Sequence, residues 1–192
     1  MFKMFKRSST INKWHIVGVF WIIIVGSLLH YTYEWSGESP IVGAFSAINE
    51  SVWEHLKLGY FPVTFFMLIE YWFLKKKTNS YFTSKLIGIL CMLSFILIVH
   101  YSYELILKKE SMIVDIGGFI IGAIICQLIS SKIMKMRFSK KTESIALGLY
   151  IILGILFVVF TFYPPDLPIF KAVVGNHYFF VFNFRTITMV IV

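Results

Sequence analysis

The chain has 192 residues, of which 58% are hydrophobic, 18% aromatic and only 15% charged. A soluble domain carries about 25% charged residues, so this composition points to lipid as the solvent and excludes an ordinary water-soluble domain. One domain is the natural count at this length, and Cys91 and Cys126 both fall inside apolar runs, which excludes a disulfide framework.

A spanning helix needs about 20 mostly apolar residues. The first such run covers residues 14–32 and leads into Tyr33-Glu34-Trp35 without a small-residue cleavage site, so it reads as a span and not a cleavable signal. The second apolar run is short, but the residues before it also read as helix. Ser46 suits the N-cap, and Gly59 with Pro62 suits a kink, so residues 46–74 are expected to form one long helix. Further spans are expected at 82–107, 112–133 and 145–163, the last with no charge between Glu143 and Asp166. Pro164-Pro165-Asp166-Leu167-Pro168 ends it, because proline cannot continue a helix interior. The expected fold is therefore all-α: a polytopic membrane helix bundle of about five transmembrane helices over residues 1–170. Residues 171–192 form a separate tail, with Arg185 near the middle of its apolar end. That arginine favours a surface or partly embedded segment over a sixth span.

Of the 18 basic residues, 13 fall at the amino terminus, in the second connection or in the fourth. The positive-inside rule puts those segments, and the amino terminus, in the cytoplasm. The net charge of +8 is thus a topology signal and implies no nucleic-acid partner.

A repeat stands out. His30-Tyr31-Thr32-Tyr33-Glu34 ends the first helix and His100-Tyr101-Ser102-Tyr103-Glu104 ends the third. Glu38-Ser39-Pro40-Ile41-Val42 follows the first and Glu110-Ser111-Met112-Ile113-Val114 the second, as expected of a duplicated helical hairpin. At a rise of 1.5 Å per residue, His30 lies about 24 Å along the first helix and His100 about 27 Å along the third. Glu50, Glu54 and His55 open the second helix and Asp115 the fourth, so all of these groups reach one outer level.

His30/Glu34, Glu50/Glu54 and His100/Glu104 are spaced i,i+4, which puts each pair on one helix face. Ionisable groups at membrane depth commonly mark function, and imidazole with carboxylate suits zinc, manganese or iron. The expected ligands of a divalent metal are His30, His55, His100, Glu34 and Glu104, with Glu50, Glu54 and Asp115 as catalytic carboxylates. Such a site would act on a lipid or small molecule arriving from outside, as a membrane hydrolase.

The same carboxylates could instead serve cation or proton transport, although the inner halves of helices one, three and five are nearly all apolar. A third reading is structural: Lys57 three residues from Glu54 suggests an ion-pair network, and Tyr31, Tyr33, Trp35, Tyr101 and Tyr103 an aromatic belt. His15 is expected at the inner interface in a neutral or lipid-contacting role, and Glu70, near Lys75–Lys77, to be charge-paired or snorkelling. Gly117, Gly118 and Gly122 are expected to allow close helix packing, and Asp166 and His177 to cover the polar cluster. Oligomeric state leaves no mark on the sequence.

The stretch Phe45-Ser46-Ala47-Ile48-Asn49-Glu50-Ser51-Val52-Trp53-Glu54-His55-Leu56-Lys57 resembles an uncharacterised bacterial membrane-protein family, a domain of unknown function typical of low-GC Gram-positive bacteria. Gly26-Ser27-Leu28-Leu29-His30, Glu34-Trp35-Ser36-Gly37, Phe160-Thr161, Pro164-Pro165 and Pro168-Ile169-Phe170 are similar to it as well. The resemblance implies a multi-pass protein of the bacterial plasma membrane and no activity. It reaches about Phe170, after which the tail departs from the short ending the family implies. A looser likeness, to membrane hydrolases such as alkaline ceramidases and adiponectin-receptor-type proteins, would set His30, His55 and His100 around zinc near Asp115 and Ser51. The order and spacing of these residues depart from that pattern.

Overall fold

The computed structural model describes residues 2–107, 111–174 and 177–179. Five long helices account for most of it: α1 (Phe2–Trp35), α3 (Val52–Leu74), α4 (Tyr81–Leu107), α5 (Met112–Ile133) and α6 (Lys140–Phe162). A single-turn helix, α2 (Pro40–Gly43), lies between α1 and α3. After α6 come a 3-10 turn at Pro168–Phe170 and two antiparallel three-residue strands, β1 (Ala172–Val174) and β2 (His177–Phe179).

Within α1 and throughout α4, α5 and α6 there are segments long and apolar enough to cross a membrane. Phe20, Ile24, Leu28, Ile98, Ile121 and Leu149 all point outward from the bundle. Such a surface is unfavourable in water and ordinary in lipid, so the chain is a helix bundle of the polytopic membrane type. The remaining long helix, α3, carries Glu54, Lys57 and Glu70 and is the one most enclosed by its neighbours, packing against α1, α4 and α6. Its polarity is tolerated because it faces protein instead of lipid.

The hairpin of α4 and α5 is the most extensively packed pair. A Cβ added at Gly88 would lie 2.8 Å from the Cys126 carbonyl oxygen and would collide with Ser130. Gly118 and Gly122 face Val99, Met92 and Ile96, whereas Gly117 faces open space, so two of the three expected packing glycines take that role. The Glu143 carboxylate, in the first turn of α6, accepts from the Phe82 and Thr83 backbone N–H groups at 2.8 and 3.1 Å. It thereby caps the α4 amino terminus from a neighbouring helix.

The basic connections share one end of the bundle. Thr78 and Ser80 donate to the carbonyls of Met134 and Met136, both at 2.6 Å, which ties the α3–α4 turn to the α5–α6 turn. At the same end, Asn12 of α1 accepts from Ser131 and Lys135.

Two expectations need correction. Residues 46–74 are not one helix, because α3 begins at Val52 with Ser51 as its cap, whose hydroxyl accepts from the Glu54 N–H. Ser51 and Glu54 have the spacing of a capping box, and Ser46 has another task. The tail is also more ordered than expected through Phe179, adding the hairpin, with Phe170 packed on Trp53 at a centroid distance of 4.8 Å. The sixth-span question concerns residues from 180 onward, which lie outside the described residues.

Candidate metal centre

Three segments bring a polar trio together near the end of the bundle opposite the basic connections. His30 sits in the last turns of α1. Here the buried Ser46 hydroxyl is inserted into the helix end: it donates to the Leu29 carbonyl and accepts from the Tyr33 N–H at 3.1 Å and the Thr32 hydroxyl at 2.9 Å. That insertion pins the α2–α3 loop against α1. Further along the loop, Asn49 accepts from the Ser51 N–H, forming a tight turn around Glu50. His55 follows in the first turn of α3.

The ligand-type atoms of His30, Glu50 and His55 all lie within 4.8 Å of one another. His55 Nε2 is 3.3 Å from one Glu50 oxygen and His30 Nε2 is 3.8 Å from the other. Ligands about 2.0–2.2 Å from a tetrahedral metal are about 3.4 Å apart, so the spacing suits a small divalent ion. The His55 Nδ1 lies 3.1 Å from the Ser51 carbonyl, which can only accept, so the proton sits on Nδ1 and Nε2 faces the carboxylate. A lone pair opposite a carboxylate calls for a cation between them, either a proton or a metal. His30 is held less firmly, since its buried Nδ1 makes no hydrogen bond to protein. When His55 Nε2 also carries a proton, its hydrogen bond is the chief cause that holds the Glu50 carboxyl below the usual carboxylate range. The Glu50 side chain is 66% exposed, so the trio opens outward.

The other candidates fall elsewhere. His100 Nδ1 pairs with Asp115 at 3.1 Å across α4 and α5, beside the trio and not among its ligand atoms. Asp115 is still near enough to His55 to act on it electrostatically. Glu34 is exposed on α1, and neither it nor Glu104 belongs to the trio. Glu50 and Glu54 do not share a helix face, because Glu50 precedes the helix. Glu54 turns the opposite way, into a buried network with Lys57 at 2.6 Å and with the Thr161 hydroxyl and the Ile48 N–H. Lys57 completes that network through Thr161 and the Gly43 carbonyl, both at 2.8 Å. The expected ion pair of Glu54 with Lys57 is thus present, and Glu50 takes no part in it. Asp166 pairs with Lys171 at 2.7 Å instead of covering the trio, and the His177 side chain lies outside the described residues.

The two copies of the sequence repeat continue differently. Ser39 and Ser111 both precede a helix. After Ser111 the helix runs on as α5; after Ser39 it stops at Gly43, and the loop that follows delivers Glu50. The two histidines of the repeat thus face different carboxylates, Glu50 and Asp115.

A second polar cluster, not foreseen as such, lies toward the basic end. Glu70 forms a buried ion pair with Lys85 of α4, not with Lys75–Lys77. His15 is buried instead of touching lipid, with Nδ1 2.8 Å from the Ile11 carbonyl and 3.9 Å from Glu70. Between the two clusters α3 also presents Tyr60, whose hydroxyl donates to the Tyr150 carbonyl, and Thr64, which meets the Tyr150 hydroxyl. Polar groups therefore descend α3 from Glu54 to Glu70. This is the helix that the comparison of apolar inner halves left out.

A family of unknown function (DUF6512) matches residues 3–180. The chain belongs to this family. As a DUF6512 member it is matched over all five long helices, the trio and the α3 seam, and ten residues past Phe170, so the departure expected at that point is not found. No curated protein and no solved structure matches the chain.

Proposed function

We propose that this DUF6512 protein is a metal-dependent membrane hydrolase, with a divalent ion (zinc, manganese or iron) held by His30, Glu50 and His55. The observation that carries the reading is the convergence of two imidazole Nε2 atoms and one carboxylate, from three separate segments, within 4.8 Å. Two histidines and one glutamate leave a coordination position open, which is the pattern of catalytic zinc sites. A metal there would lower the pKa of bound water and supply hydroxide near neutral pH. The His100–Asp115 pair, close by on the α4–α5 hairpin, is suited to taking or giving a proton.

The trio lies at the level of the aromatic residues Tyr31 and Trp35, which stack at 5.9 Å and mark the headgroup region. A substrate whose polar linkage lies at that depth, as in a lipid, fits best. In this reading the protein resides in the bacterial plasma membrane with its basic end and amino terminus in the cytoplasm, and the site opens outward.

Elemental analysis of the purified protein tests the metal. Wild type is expected to carry about one equivalent, and His30→Ala and His55→Ala to lose it. His100→Ala is expected to keep it, because His100 touches Asp115 and not the trio. A metal-free wild type would reduce the trio to an imidazolium–carboxylate pair and end the proposal.

One observation favours a second reading. The polar seam on α3 is the continuity a proton- or cation-coupled transporter would need. Retention of metal with no hydrolysis of any amphiphile, together with proton movement into vesicles, would favour that reading.

A further inference from the structure

Four helices converge on the buried cluster at the basic end. His15 is 3% exposed, Glu70 0%, Lys85 1% and Gln127 1%. Gly18, one turn beyond His15 on the same face of α1, leaves room for Gln127: a Cβ there would lie 2.7 Å from the carboxamide nitrogen and 2.9 Å from the Phe66 ring. That same ring lies 5.9 Å from the Lys85 ammonium. Cys126, beside Gln127, feels the charges of both Lys85 and Glu70. The carboxamide and the Lys85 ammonium thus both lie beside the Phe66 ring, and His15 lies 3.9 Å from Glu70, the partner of Lys85.

The polar atoms of this cluster are poorly matched to one another. Four of them make no hydrogen bond to protein: His15 Nε2, Glu70 Oε1 and both terminal atoms of Gln127, while the Lys85 ammonium is paired with Glu70 Oε2 alone among the carboxylate oxygens. The Ile11 carbonyl fixes the proton on His15 Nδ1, so Nε2 offers a lone pair. Glu70 Oε1 and the Gln127 oxygen also accept, while Lys85 and the Gln127 nitrogen donate. Leaving such groups dry costs about 1–3 kcal/mol each, and more for charges. A ligand for this set must both donate and accept, be small and carry no net charge, because Glu70 and Lys85 already neutralise each other.

We propose that the cluster is a binding site for ordered water, which donates to His15 Nε2 and Glu70 Oε1 and accepts from Gln127 and Lys85. Buried waters typically take about three such partners. The Asn12–Ser131–Lys135 contacts sit one turn closer to the basic end and mark the side from which water enters. The result is a hydrated ion pair at the foot of the α3 seam, independent of the outer metal centre.

Gln127 is the only glutamine in the chain, so selective 15N-glutamine labelling reports on this site alone. In nanodiscs, a rotating-frame Overhauser cross-peak between the Gln127 side-chain amide and water, opposite in sign to chemical exchange, is the expected result. Cross-peaks to protein protons alone would overturn the proposal. If the amide signal is too broad to observe, Gln127→Met decides. In a dry site this change removes unpaired polar atoms and raises the melting temperature by several degrees. In a wet site it strands the water's partners and gives no rise. A rise overturns the inference, and its absence supports it.

Discussion

His55 Nε2 and the Glu50 carboxylate face each other across 3.3 Å, while the Ser51 carbonyl holds the imidazole proton on the opposite nitrogen. Without metal the arrangement is stable only if Nε2 takes a second proton and the imidazolium pairs with Glu50. On the proposed function a proton and a metal would compete for the trio, and acid and chelator should then affect it differently.

In the presence of chelator, Glu50 supplies a pH signature. Its folded-state value lies below the ordinary one, first because of the hydrogen bond from His55 and then because of the charges of His55 and His30, against an opposing effect of burial. A lowered carboxylate stabilises the fold above its unfolded value of about 4.3, and that contribution is lost as pH falls through the lowered value. The difference in melting temperature between wild type and Glu50→Gln should be constant near neutral pH and shrink in acid. The same difference at pH 3 and pH 7 would refute the pairing. The effect should be small, since most of the side chain is in water.

Ser46 positions the site without touching it. Ser46→Ala removes the hydroxyl that bridges Leu29 and Tyr33 and frees the loop holding Glu50. Metal affinity is expected to fall about 10-fold or more, the usual scale for loss of a supporting contact. Helix content should stay the same, because the α1 end can close its own hydrogen bond. Unchanged metal affinity would show that the loop is held by other contacts.

The Glu54–Lys57 network is structural. Lys57→Met leaves a buried Glu54 without its cation and should cost about 3–5 kcal/mol in detergent-titrated unfolding. Adding Glu54→Leu should recover much of that loss, with Thr161, Gly43 and Ile48 left to re-pair. If the single variant costs nothing, the network is wrongly assigned.

Gly88 sets the spacing of α4 and α5. Gly88→Val would drive side-chain atoms into the Cys126 carbonyl and Ser130. Destabilisation of about 1–3 kcal/mol is expected, compared with a negligible change for Gly117→Ala, which faces open space. Equal effects at the two positions would argue against this contact.

Much of the bundle was legible before any coordinates. Length and hydropathy located the four apolar spans, because an unpaired backbone in lipid has few alternatives to a helix. Helix rise gave His30 and His55 a common level, and their rings lie 5.5 Å apart. The split between loop and helix at Glu50 was not legible, because Ser46 and Ser51 are equally good caps by residue type. What separates them is that Ser46 is used by α1, a contact between segments 13 residues apart.

Chain sequence by itself determined the apolar character and the number of long helices, since these follow from length and hydropathy. Which polar groups meet was decided only by the tertiary structure. Helices that are apolar on nearly every side carry no stripe to reveal their rotation, so a shift of about 100° per residue separates a ligand from a lipid-facing side chain. That rotation gave Glu54 to Lys57, and Glu70 to Lys85 instead of to the lysines nearest it in the chain, while the loop before α3 gave Glu50 to the histidines.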